Sequence, residues 1–141
     1  MDRKVLLRID SLLAHIDEVL EDTKDVSLDK FKSSRLLLKA TCFSISQIGE
    51  QMIKLEESLK NKYPNLPWKN ARGMRNFIVH DYDRIDSEQI YSTVRNDLPS
   101  LREYFFLIKN ELVQNKCSEK NEDEYDIALA DATLKEYKKE S

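Results

Sequence analysis

The 141-residue chain has only two histidines, His15 and His80, and they keep different company. His15 sits between Ala14 and Ile16 in an apolar-periodic stretch and reads as a structural residue. His80 belongs to the run Arg72-Gly-Met-Arg75-Asn-Phe-Ile-Val-His80-Asp-Tyr82, where two arginines, a histidine and a tyrosine gather at an expected helix end. Functional residues concentrate at such edges. These residue types suit phosphodiester cleavage in RNA, which needs no external nucleophile because the neighbouring 2′-hydroxyl attacks phosphorus. The reaction needs a group titrating near neutrality to move protons, which His supplies. It also needs cationic donors for the charge that builds on the phosphoryl oxygens, a task for Arg. The 2′-hydroxyl requirement confines such chemistry to RNA. The competing reading is a structural hydrogen-bond network at a helix end.

Geometry narrows the choice. At ~100° per residue, His80 lies about 140° from Arg75 on an ideal helix, so the two would not share a face. Either the helix ends before His80, or the site is assembled from two chains, a two-fold dimer placing two Arg–His sets around one cleft. Arg72 and Lys69 are the candidate phosphate contacts. Asn76 and Asp81 are candidate supporting residues that could equally cap the helix end.

Charge is unevenly spread. The formal net charge is −3, yet residues 118–141 carry eight acids against four bases. Residues 60–84 carry six bases (Lys60, Lys62, Lys69, Arg72, Arg75, Arg84) against Asp81 and Asp83. A local basic patch of this kind can engage phosphate, or can simply be a solvated face. The acidic tail could compete with RNA for that patch, or serve only as a solubilising end.

The positioning elements read as helices. Val5, Ile9, Leu12, Ile16 and Val19 recur at steps of three and four, predicting a helix over 4–21. Ser27 is a candidate N-cap for a long second helix, 28–61, in which Leu38, Ile45, Met52 and Leu59 repeat every seven residues. KYPNLPW (62–68) enforces an extended connection, with Trp68 as its packing anchor. A shorter helix over 69–79 follows, then a polar loop, HDYDRID (80–86), in which Tyr82 is expected to be accessible. Asp86 with Gln89 fits a capping box for a last helix carrying Ile90, Val94, Leu98, Leu101, Phe105, Ile108 and Leu112, bent at Pro99. A bundle domain over 1–116 and a charged extension over 117–141 result, with 126–138 a candidate short helix.

Composition excludes much else. Two glycines (Gly49, Gly73) and three prolines are too few for the turns of sandwiches, barrels or doubly wound sheets. Two glycines so far apart cannot make a phosphate loop. Cys42 and Cys117 are too few for a disulfide framework or a zinc site and read as buried apolar residues. Neither a metal nor a cofactor is expected. No signal peptide is legible and no window approaches the ~18 apolar residues of a membrane span, so a cytoplasmic location is expected.

The run PWKNARGMRNFIVHDYDRID resembles the R-x4-H-x-Y signature of HepT-like proteins in the HEPN superfamily, with Arg75, His80 and Tyr82 at the motif positions. Ile48-Gly49-Glu50, Pro67-Trp68 and Asp97-Leu98-Pro99 also resemble the family pattern, and the likeness spans about residues 4–113. It implies an all-α antiparallel bundle of four to five helices that dimerises with the motifs lining a shared cleft. It further implies a metal-independent ribonuclease toxin of the HepT/MntA (type VII) kind. The partner would be a nucleotidyltransferase antitoxin of the MntA type, which transfers AMP to Tyr82. The alternative is a non-catalytic HEPN module that binds a nucleotide or protein and partners such a transferase. The extension from 117 lies outside the resemblance.

Overall fold

Helix α1 (Arg3–Asp22) buries Val5, Ile9, Leu12, Ile16 and Val19 along one stripe, the three-and-four spacing read from the sequence. The computed structural model describes residues 3–121, with side chains through Asn115, and every regular element among them is helical. α2 (Leu28–Ser33) and α3 (Arg35–Leu59) follow, then α4 (Trp68–Asp81), a 3₁₀ turn (Tyr82–Arg84), α5 (Ser87–Ser92), a π turn (Thr93–Asp97) and α6 (Leu98–Asn121). The centre is built from fully buried Ile9, Leu12, Ile16, Met52, Leu55, Phe105, Ile108 and Leu112. Each such side chain contributes roughly 1.5–3 kcal/mol on leaving water.

Ion pairs show how the helices run. Arg102–Asp17 (2.5 Å) and Lys109–Asp10 (2.6 Å) tie α6 to α1, while Arg72–Glu56 (2.6 Å) and Arg75–Glu50 (3.0 Å) tie α4 to α3. In both cases rising numbers on one helix meet falling numbers on the other, so each pair is antiparallel. Among the described residues no helix is long and apolar enough to cross a membrane.

Two expectations need correction. The single helix over 28–61 is two, broken at Ser34, whose extended backbone (φ −111°, ψ 101°) ends α2 and starts α3. Ser34 Oγ accepts from the Leu37 N–H at 3.1 Å. The break turns α2 inward, burying Phe31 completely and setting it 5.5 Å from the Tyr91 ring. The polar loop at 80–86 is largely helical, because Ile78 and Tyr82, one turn apart, continue the buried stripe of α4. Just before Pro99 the chain widens into the π turn. The wider turn relieves the clash between the proline ring and the carbonyl four residues back.

Other expectations hold. The Lys30 N–H donates to Ser27 Oγ at 3.2 Å, so Ser27 caps α2. Asp86 caps α5, although it accepts from the Glu88 N–H (3.0 Å) rather than from Gln89. Cys42 is buried among apolar groups, which pushes its thiol up to about 11. The side chain of Cys117 and the candidate helix 126–138 lie outside the described residues. The expected boundary at 116 falls inside α6.

Candidate active site

The start of α4 is set by its anchor. Trp68 Nε1–H donates to the Tyr63 carbonyl at 3.0 Å, and the indole meets Phe105 edge-on, with centroids 6.5 Å apart. Tyr63 donates in turn to buried Glu111 at 2.8 Å, and Lys62 pairs with the same carboxylate at 2.7 Å. The connector is thereby tied to α6.

Further along, α3 and α4 nearly touch. A Cβ on Gly49 would sit 2.7 Å from Arg75 Cβ and 3.0 Å from the Ala71 carbonyl oxygen, closer than a side chain tolerates. Only glycine allows this approach. It brings Glu50 beside Arg75, whose Nε–H donates to Glu50 Oε2 at 3.0 Å and whose Nη1–H donates to Asn76 Oδ1 at 2.6 Å. Arg72 is held one turn away, with Nη2 at 2.6 Å from both Glu56 oxygens. Those bonds, and then one from Lys60, hold the Glu56 carboxyl below its usual range.

The structure therefore unites some candidates and separates others. Arg75 and Asn76 are bonded to each other. His80 stays inside α4, exposed, with no hydrogen bond or ion pair among the described residues, and about 140° round the helix from Arg75. The helix does not end before His80. Asn76 lies only about 40° from His80 on the same flank, and Lys69 and Gly73 share that exposed face. Asp81 is exposed at the last turn. Tyr82 is half-buried against the core rather than solvated. Its hydroxyl is pushed up, first by that burial and next by nearby Cys42, with Arg35 opposing.

The basic patch is partly neutralised. Glu50, Glu56 and Glu111, all from outside the segment, pair with Arg75, with Arg72 and Lys60, and with Lys62. Lys69 and Arg84 are the cations of the segment with no carboxylate in reach among the described residues. Glu56 escaped the sequence reading, and Glu50 entered it only within the family pattern. No local spacing signals a partner 16 or 25 residues away. The other pieces of that pattern, Ile48-Gly49, Pro67 and Asp97-Leu98, line one cavity of about 630 Å³ between α3, α4 and the start of α6. Among the described residues no cluster of three or more His, Cys, Asp or Glu side chains could hold a metal.

The all-α bundle, with Arg75 and His80 five residues apart on α4, is consistent with the HEPN-like class. The chain belongs to the ribonuclease HepT-like family, whose pattern it matches over residues 12–108. A candidate RNase of Methanocaldococcus jannaschii is 27% identical over 101 residues, 72% of this chain and 87% of that protein. A second from the same organism is 32% identical over 100 residues, 70% of this chain and 83% of its own length. A candidate ribonuclease HepT of Thermococcus cleftensis is 25% identical over 97 residues, 69% and 88% of the two chains. No solved structure matches the chain significantly.

Proposed function

We propose that this chain is the toxin of a toxin–antitoxin pair, a metal-independent endoribonuclease whose site forms between two copies. One observation carries the composite site: α4 runs unbroken through His80, so the Arg75 and His80 of one chain face different ways. A two-fold dimer brings one chain's Arg75 towards its partner's cleft face and supplies each site with both groups. The 2′-hydroxyl oxygen attacks phosphorus and its proton passes to a base. The P–O5′ bond breaks, and the 5′-oxygen leaves with a proton. His80 moves these protons, and Arg75 donates to the phosphoryl oxygens as their charge grows. The products are a 2′,3′-cyclic phosphate and a 5′-hydroxyl. Lys69, exposed on the His80 face, suits a flanking phosphate. Arg72 must first release Glu56 to do the same.

Control falls to Tyr82 and a nucleotidyltransferase antitoxin. Tyr82 Oη attacks the α-phosphorus of ATP, pyrophosphate leaves, and the phenolic proton goes to a base. A phenol is protonated at neutral pH and burial pushes this one further up, so the partner must supply the base and draw the ring outward. The attached AMP adds a bulky anion near Arg75.

Complementation between inactive chains tests the composite site. Arg75→Ala and His80→Ala are each expected to lose cleavage by 10²-fold or more, as loss of a general acid–base costs. Mixed dimers should regain one working site, and cleavage should persist in EDTA. Activity that stays absent in every mixture while wild type cleaves refutes the shared site. A wild-type chain that cleaves no RNA leaves the non-catalytic module. Intact mass after co-expression with the transferase should show an adenylyl adduct on wild type and none on Tyr82→Phe.

A further inference from the structure

A guanidinium carries five N–H groups in a planar fork. In Arg75 the Nε–H donates to Glu50 Oε2 at 3.0 Å, Nη2 pairs with the same oxygen at 3.0 Å, and Nη1–H donates to Asn76 Oδ1 at 2.6 Å. That leaves N–H groups on both Nη1 and Nη2 with no hydrogen bond among the described residues. Such a pair matches two oxygens of a phosphate. The ion pair is about two-thirds withdrawn from water, with side-chain exposures of 31% and 30% for Arg75 and Glu50. Gly49 explains why the carboxylate is there at all, since a Cβ at that position would drive α4 and Arg75 away from α3.

We infer that Glu50 is a positioning residue for Arg75: its carboxylate occupies the inner edge of the guanidinium and turns the outer edge towards a substrate phosphate. The inference rests on the reading of Arg75 as the cation that faces phosphate. Glu50 itself touches no substrate. Without it, a long flexible side chain samples many rotamers and its N–H pair loses its aim. Removing a negative charge beside the site does not weaken the attraction of RNA. The loss therefore belongs to kcat and not to KM, which a purely structural ion pair would not produce. Geometry matters as well as charge. Gln keeps the length and an acceptor oxygen, whereas Asp keeps the charge but falls one methylene short.

The experiment compares steady-state cleavage of one RNA oligonucleotide by wild type, Glu50→Ala, Glu50→Asp and Glu50→Gln, well below their melting temperatures. Ala and Asp are expected to lower kcat by about 10- to 100-fold, the scale of a misplaced catalytic group, with KM unchanged or lower. Gln should fall between them and wild type. A kcat for Glu50→Ala equal to that of wild type overturns the assignment, and so does a rise in kcat/KM, which would make Glu50 a competitor of the phosphate. A second readout needs no turnover: the Arg75 Nε–Hε NMR signal, assigned by its loss in Arg75→Lys, with and without a 2′-deoxy oligonucleotide of the same sequence. It should be sharp and responsive to the oligonucleotide in wild type and broadened beyond detection in Glu50→Ala. Equal signals and equal responses in the two proteins overturn the positioning role. If wild type cleaves no RNA, the ribonuclease reading falls while this comparison still decides the role of Glu50.

Discussion

Gly49 and Gly73 face opposite demands. Gly49 is where two backbones meet, whereas a Cβ on Gly73 would touch nothing within 4 Å. Gly49→Ala should cost roughly 1–3 kcal/mol, as overpacking does. Gly73→Ala should add about 0.5–1 kcal/mol through helix propensity. Thermal melts read both signs: the first variant melts lower than wild type and the second higher. Glu56 gives a pH-dependent counterpart. Its carboxyl is held below the usual range by Arg72 and Lys60, so its contribution to stability is present above its unfolded value and disappears as pH falls through the folded one. Glu56→Gln should therefore lower the melt at neutral pH and match wild type at a pH acid enough to protonate Glu56. A difference that persists unchanged in acid would mean the pair is not its source.

At the scale of elements, Ser34 is the joint between α2 and α3, and Ser34→Ala should cost about 1 kcal/mol by removing an N-cap bond. Chemical denaturation measures that. The helical stripes were legible because burial imposes a period on Val5 to Val19 and on Ile45 to Leu59. The joint was not, since every residue of the Leu38–Leu59 repeat lies on one side of it. The stretch 80–86 looked like a loop because five of its residues (His80, Asp81, Asp83, Arg84 and Asp86) are polar or charged, yet Ile78 and Tyr82 suffice to keep the chain helical through Arg84. The Arg75–His80 offset was legible from helical arithmetic alone. The glutamates that neutralise Arg72 and Arg75 were not, because only the register of α3 against α4 pairs them. A second joint is held by Arg95, which donates to the carbonyls of Thr23 and Val26 and so fastens the α1–α2 turn to the π turn.

At the scale of the whole molecule, the proposed site shared between chains would make activity a property of association. Below the dissociation constant of the dimer, cleavage per chain should rise in proportion to chain concentration, then level off once dimers dominate. Sedimentation and initial rates over one dilution series check this together, and a rate per chain that never changes would refute it. The same unbroken turn of α4 at His80 has a consequence for dose. Where dimers are scarce, a tenfold fall in chain number removes about a hundredfold of the assembled sites, by mass action alone. On the proposed toxin reading, a cell carrying a trickle of this protein is then nearly unharmed, while a modest surge in synthesis, or in survival of the chain, crosses a threshold. On the same reading, dilution at each division becomes an antidote in its own right, independent of the proposed partner enzyme.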